Sequence, residues 1–364
     1  MGKPNICPDN RQVKLMLKEI KYGALSGKAR AMFGKLLSKN DYKILIQKKR
    51  IAQVVSYLKH NTHYSGLLSD TDENNIHRVK LEILLKKDII NDYSKFFKFT
   101  NGRLKEFVKH YCTKAEIESL KLIFRMFEGG NTEHGLLEES LLFLSRHDKL
   151  DIPKLSLSRD LEEFLSRLHG TDYYKLLKPF ISDNKENRLF NIEMTLDLYY
   201  FRNVQWAYQK FLNRNDALIV KDLLEKEADI FNILWIYRSK YFYNMSNEVI
   251  KSYMAHINDK LSERSTESLI EAEGYEAYVD IISKTPYGFL FKGQNQLFIE
   301  HNYHEYTYKL YKMLFRRKPF SIACMISYLR LKEIEISNII SIIEGIRYNL
   351  SESEIGKFIV GMGI

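Results

Sequence analysis

Hydrophobic residues recur along this chain at helical spacing. Ile51, Val54, Val55 and Leu58 fall at positions i, i+3, i+4 and i+7, which places them on one face of a helix. The same spacing recurs at Ile117, Leu120, Phe124 and Phe127, and at Ile336, Ile339, Ile340 and Ile343. Polar or glycine-containing stretches separate these windows, and we find no convincing set of alternating positions that would predict strands. The pattern therefore predicts an all-α protein.

One helical pattern occurs three times. It consists of an acid, Ile, any residue, Ser or Asn, and then Leu or Ile, and its acids are Glu116, Asp229 and Glu335. Upstream of each copy lies a Thr-x-Tyr-x-x-Leu motif, which begins at Thr62, Thr171 and Thr285. Between these motifs, an acid is followed 11 residues later by a tyrosine: Glu82 with Tyr93, Asp197 with Tyr208, and Glu300 with Tyr311. Three motifs in the same order at a similar period predict three related helical units.

The predicted units cover residues 1–130, with an N-terminal extension, then 131–250 and 251–364. Three copies of a helical unit could pack around a pseudo-threefold axis or stack as a solenoid. A ring-like arrangement would create a central concavity, and concave surfaces bind ligands and partners. Composition does not choose between the two geometries.

The composition supports long helices and predicts an acidic partner. Only 17 glycines and 6 prolines occur among 364 residues, so turn formers are scarce. The formal net charge of +10 favours nucleic acid, an anionic membrane surface or an acidic protein as partner. The three cysteines, Cys7, Cys112 and Cys324, form no CxxC pair, which favours a reducing compartment. We see no transmembrane run and no signal peptide, so we expect an intracellular protein.

Candidate catalytic and cofactor motifs fail on their spacing. The segment from Gly23 to Ala29 resembles a phosphate-binding loop, but one residue too few separates its glycines and Ala follows Lys28. The pairs His60 with His63 and His301 with His304 have helical spacing, yet neither pair recurs in the middle unit. We therefore predict no catalytic residue, no cofactor and no metal site.

The recurring acids Glu116, Asp229 and Glu335 are candidates for partner contact or for a structural role at helix starts. An acid at a helix start is favoured by the helix dipole, and Thr113 with Glu116 fits a capping box. Asp229 and Glu335 lack a Ser or Thr three residues earlier, so capping describes them less well. The three acids would face one another only around a closed ring. Both interpretations stay open.

Two segments carry a longer pattern. The segment Lys332–Ile342 fits K-E-x-E-x-x-N-I-x-x-I, and Lys28–Leu37 fits most of A-R-x-R-A-M-x-x-x-L-L, with Lys28 at a position that varies. Asp41-Tyr42 and Tyr57-Leu58 follow in order. This order resembles the C subunit of V/A-type ATPases, which is called the d subunit in eukaryotic vacuolar enzymes. The similarity runs from about Tyr22 to about Ile355, and the N-terminal segment favours the prokaryotic type.

The resemblance implies a funnel-like, non-catalytic central-stalk component of a rotary V/A-type ATPase. Such a protein links the membrane rotor ring to the central shaft and couples ATP hydrolysis or synthesis to proton or sodium transport. The implied partners are central shaft subunits and the proteolipid ring, and the implied location is peripheral, on the cytoplasmic face of the membrane. At this location basic residues would be attracted by anionic lipid headgroups, and the candidate membrane-proximal basic residues are Arg316, Arg317 and Lys318. The sequence leaves open the ion, the direction of operation and the unit that meets the shaft.

The alternative is a helical-repeat scaffold for another acidic partner such as nucleic acid. Basic stretches occur at Lys48–Arg50, Lys86-Lys87 and Arg316–Lys318. The aromatic residues, however, follow helical periods more than a surface array that would stack on bases. With the resemblance, we therefore predict no nucleic-acid partner.

Overall fold

A computed structural model describes residues 10–76, 78–129, 150–257, 260–293 and 298–362. Within these ranges, all regular elements are helical, which confirms the all-α prediction. The α-helices are α1 (Asn10–Phe33), α2 (Lys39–Ile46), α3 (Ile51–Asn61), α4 (Arg78–Phe97), α5 (Gly102–Tyr111), α6 (Thr113–Gly129), α7 (Ile152–Ser156), α8 (Leu161–Arg167), α9 (Asp172–Leu177), α10 (Lys185–Phe211), α11 (Arg214–Tyr241), α12 (Asn247–Ser252), α13 (Glu263–Glu271), α14 (Tyr275–Ser283), α15 (Ile299–Arg317), α16 (Ala323–Arg347) and α17 (Glu352–Lys357). Short 3₁₀ helices occupy His63–Ser65, Lys178–Phe180 and Gly288–Phe291.

The three windows with helical spacing lie in α3, α6 and α16. Each window turns most of its apolar residues into the core: Val54, Val55 and Leu58; Ile117, Leu120 and Phe124; Ile336, Ile339 and Ile343 are buried. Side-chain caps fix the starts of several helices. Ser38 and Ser351, for example, form capping boxes with Asp41 and Glu354.

The chain divides into two compact units. Unit 1 contains residues 1–73, 95–100 and 306–364, and unit 2 contains residues 74–94 and 101–305. The boundary predicted between residues 130 and 131 lies outside the described residues, as does Cys7. The division into three repeats, with its boundaries and pseudo-threefold axis, stays a prediction.

The core of unit 1 forms around α16. Of its 25 residues, 18 are buried, which is typical of a helix surrounded by other elements. Helices α1 and α3 pack against it, and Leu25, Ala29 and Val54 are fully buried. Helices from the N-terminal and the C-terminal parts of the described chain therefore share one core.

The core of unit 2 forms around the 27-residue helix α10. It packs against α5, α6 and α11, and it buries Ile192, Leu196 and Val204. Among the described residues, no helix combines the length and the apolar composition that crossing a membrane requires.

Candidate functional site

Each recurring acid accepts a hydrogen bond from the tyrosine of a Thr-x-Tyr motif. We name these contacts the Tyr–acid junctions, and their oxygen–oxygen distances are 2.6 Å for Tyr173 with Glu116, 2.7 Å for Tyr287 with Asp229 and 2.8 Å for Tyr64 with Glu335. Two motifs that are separate in the sequence thus meet in space. A hydrogen bond to an ionised carboxylate is stronger than one between neutral groups.

The junctions join successive copies of the sequence pattern. Tyr173 and Tyr287 follow their acids by 57 and 58 residues, so each acid is paired with the next copy of the motif. Glu335 belongs to the last copy and is paired with Tyr64 of the first copy, 271 residues away. The pairing order is therefore cyclic along the sequence.

The threonine of each motif fixes the turn that carries the tyrosine. The hydroxyl of Thr62 donates to the Leu58 carbonyl at 2.6 Å and accepts from the Tyr64 N–H at 3.2 Å. The hydroxyl of Thr285 makes the same two kinds of bond, to Ile282 at 2.7 Å and from Tyr287 at 3.2 Å. Thr62 and Thr285 therefore close one helix and start the next turn, which explains the Thr-x-Tyr spacing. The hydroxyl of Thr171 also donates to a preceding carbonyl, that of Leu168 at 2.7 Å, but it accepts from the Tyr174 N–H at 3.3 Å, one residue beyond the motif tyrosine.

Asp229 shows how a junction also holds backbone. It is fully buried, and its Oδ2 atom accepts from the N–H groups of Lys260 and Leu261 at 2.9 and 3.1 Å, in addition to the Tyr287 hydroxyl. Glu335 likewise accepts from the Leu37 N–H. Leu261 and Leu37 each precede a serine that caps a short helix, α13 or α2. The acid thus anchors the segment that leads into that helix.

These positions correct one expectation about the acids. Glu116 lies in the first turn of α6, but Asp229 and Glu335 lie in the middle of α11 and α16. A helix-start role is therefore wrong for the latter two. Their carboxylates are held by donors from other segments rather than by the N–H groups of their own helix start. Contact of any of the three with a partner stays a prediction.

The Glu335 junction includes a buried lysine. The fully buried Lys332 Nζ donates to Glu335 Oε1 at 3.0 Å and to the Tyr64 hydroxyl at 2.8 Å. It also lies 2.6 Å from His63 Nε2. A buried lysine is tolerated when it is paired and hydrogen-bonded, as it is here. His63 therefore contacts this ion pair.

An asparagine three residues after the acid fixes a second backbone contact. Asn232 exchanges two hydrogen bonds with the backbone of Ala255, at 2.8 and 2.9 Å. Asn338 does the same with Val360, at 2.9 and 3.0 Å. The recurring Ser or Asn is visible in the sequence, but its role is not. Both helices that carry these asparagines end near a Tyr-Asn pair, at 243–244 and 348–349, whose asparagine has positive φ. This shared pair is a signal in the sequence that could have indicated similar turns after the two helices.

A cavity of about 200 Å³ adjoins the Glu335 junction within unit 1. Its lining includes Tyr42, Tyr308 and Lys312. Burial, and then the nearby Glu335 carboxylate, raises the pKa of Tyr42 well above its usual value. Tyr42 therefore stays a neutral hydroxyl.

The remaining candidates take structural positions. The phosphate-loop-like segment lies inside α1, where Ser26 Oγ is 3.6 Å from Cys324 Sγ of α16. The described part of the chain contains no group of three His, Cys, Asp or Glu side chains arranged to hold a metal ion. Arg316 and Arg317 end α15, and both are exposed together with Lys318.

Comparison with known proteins gives a match along nearly the whole chain. The family model described as ATP synthase (C/AC39) subunit matches residues 25–358. The C subunit of the A-type ATP synthase of Methanosphaera stadtmanae is 22% identical, covering 86% of this chain and 81% of its own. Proteins of the same name from Methanocaldococcus jannaschii and Methanococcoides burtonii are 21% and 24% identical, covering 96% and 93% of this chain and 88% and 94% of their own.

Proposed function

The chain belongs to the ATP synthase (C/AC39) subunit family, and we propose that it is the non-catalytic central-stalk subunit of a rotary V/A-type ATPase. In this role it links the membrane rotor ring to the central shaft. It couples ATP hydrolysis or synthesis to proton or sodium transport. The observation that carries the proposal is the family match over residues 25–358, with archaeal C subunits of A-type ATP synthases aligned over most of both chains.

We propose central shaft subunits and the proteolipid ring of the same complex as the partners. The chain would lie at the cytoplasmic face of the membrane as a peripheral subunit. The three acids are proposed to hold the helical units together, since each carboxylate already binds a tyrosine of the same chain.

The Tyr–acid junctions support a role in transmitting torque. A protein that transmits torque must resist shear between its predicted helical repeats. The energy of a buried carboxylate with several hydrogen-bond donors rises steeply when the donors are displaced or turned away from it. The cyclic order of the junctions also supports the proposed pseudo-threefold arrangement of three repeats, because the last copy is completed by the first. Close packing of long helices adds stiffness.

Reconstitution of the rotary complex in vesicles, with and without this chain, tests the proposal. We expect that omission abolishes ATP-driven ion uptake while the soluble head still hydrolyses ATP. Uptake is measured for protons and for sodium in parallel, so the result does not depend on the ion. Coupled uptake by a complex that lacks the chain would contradict the proposal.

Co-purification separates this role from the nucleic-acid scaffold. A central-stalk protein should travel with a shaft subunit and the proteolipid ring through gel filtration. A scaffold would instead bind a DNA duplex in a strongly salt-dependent manner and without those partners.

A further inference from the structure

The positive charge of the chain is concentrated in three segments of unit 1. Residues 21–37, 95–100 and 306–322 contain eleven of the 56 lysines and arginines and none of the 46 aspartates and glutamates. The rest of the chain, with 45 basic and 46 acidic residues, is nearly neutral. These segments therefore carry a surplus of eleven positive charges, which is about as large as the net charge of the whole chain.

The first of these segments, residues 21–37, contacts each of the other two. Phe33 of α1 stacks on Phe315 of α15, with ring centroids 4.4 Å apart, and the Arg30 guanidinium lies 5.5 Å from the same Phe315 ring. On the other side of α1, Lys28 Nζ lies 5.9 Å from the ring of Phe99, just beyond the end of α4. Helix α1 is thus the centre of one basic surface.

The charges face outward on this surface. Nine of the eleven basic side chains are exposed, and Lys28 and Lys312 are half-buried. Lys21 and Lys28 are seven residues apart, so they lie on one side of α1, and Lys35 follows in the turn just beyond the end of that helix. Two apolar side chains, Phe99 and Met313, are 40% and 39% exposed among them. Exposed cations around a few exposed apolar groups are typical of a peripheral membrane-binding surface.

We propose that this basic face, formed by residues 21–37, 95–100 and 306–322, binds the anionic headgroups of a membrane surface. The lysines and arginines attract the phosphate groups, while Phe99 and Met313 enter the headgroup layer. The charge complementarity selects this occupant, because the three segments contribute eleven cations and no carboxylate that would repel lipid phosphate. That the chain works at a membrane rests on the proposed function, whereas its affinity for lipid is a property of the chain alone.

Sedimentation of the full-length chain with vesicles tests the proposal. One set contains phosphatidylcholine alone, and the other contains equal parts of phosphatidylcholine and phosphatidylglycerol. We expect binding to the anionic set only, and weaker binding as salt is added. The triple variant Arg316→Gln, Arg317→Gln, Lys318→Gln should lose roughly 100-fold in affinity, since each headgroup-proximal cation contributes about fivefold.

A matched variant separates the basic face from net charge. The control variant removes the same number of positive charges, three, from exposed positions in unit 2; its substitutions are Lys154→Gln, Lys221→Gln and Lys284→Gln. This control should bind within about threefold of the unchanged chain, because distant exposed charges are screened at physiological salt. Circular dichroism confirms that both triple variants are folded.

Three outcomes would overturn the proposal: equal binding to both vesicle sets, equal losses in the two triple variants, or binding of a DNA duplex through the same residues without vesicle binding. None of these depends on the coupling experiment above. If the chain couples ATP hydrolysis to transport but does not bind anionic vesicles, only the proposal for the basic face is refuted. Vesicle binding without coupling refutes the proposed function alone.

Discussion

The Asp229 junction permits a quantitative test of its hydrogen bonds. Tyr287→Phe removes only the hydroxyl that donates to Asp229 Oδ2, and it leaves the ring in its buried site, where Tyr287 is 2% exposed. The carboxylate keeps the N–H groups of Lys260 and Leu261 as donors. A hydrogen bond to a charged group contributes about 1.5–3 kcal/mol, so we expect a loss of about 2 kcal/mol in the free energy of unfolding.

Tryptophan fluorescence during urea unfolding measures this loss in unit 2, which contains the junction. The buried Trp235 lies on α11 with Asp229, and its indole N–H donates to the Ile250 carbonyl at 2.9 Å. With an m-value of about 2 kcal/mol/M, the midpoint of the transition should fall by about 1 M. The control is Tyr243→Phe, whose side chain is 60% exposed, and it should change stability by less than about 0.5 kcal/mol.

A double-mutant cycle with Asp229→Asn completes this test. Because the two groups touch, the effects of Tyr287→Phe and Asp229→Asn should be less than additive by at least about 0.5 kcal/mol. Strict additivity, or a Tyr287→Phe midpoint equal to that of Tyr243→Phe, would refute the view that the junction stabilises the fold.

Four further substitutions test other parts of the structure. Lys332→Met leaves its buried glutamate partner without a counter-charge, and calorimetry should show a loss of about 3–5 kcal/mol. Burial, and then the hydrogen bond to Asp41, raises the pKa of Tyr57 to about 12. The folded state therefore holds the Tyr57 proton more tightly than the unfolded chain does. The resulting contribution to stability is complete below about pH 10 and is lost as pH approaches 12. The pH dependence of unfolding of Tyr57→Phe should lack this component. Gly345→Ala places a Cβ atom 2.5 Å from Ile355 and should lower the melting temperature, whereas Gly27→Ala meets no neighbour within 4 Å and should raise it, each read by thermal unfolding.

Local sequence was sufficient to predict the helices and their buried faces. Val54, Val55 and Leu58 recur with the helical period and so form one apolar face of α3. This is the face that the structure buries. The Thr-x-Tyr motif was also visible, because its hydrogen bonds join residues within a few positions of the threonine. Such local contacts leave a fixed spacing in the sequence.

The partners of the acids could not be predicted in this way. Nothing in the spacing of Glu335 indicates that Tyr64, 271 residues away, donates to it, or that Lys332 joins the pair in the core. The position of the basic face was hidden for the same reason, since its three segments are far apart in the sequence and meet only when α1 packs against α15 and α16.

The sequence by itself therefore determined the helical class, the recurring motifs and the size of the charge surplus. Tertiary structure decided which tyrosine completes which acid, and where the surplus charge is displayed. The physical reason is the range of the interactions. Helix periodicity and capping act within a few residues, whereas a buried carboxylate takes its donors from whichever segments the packing of the core brings within about 3 Å.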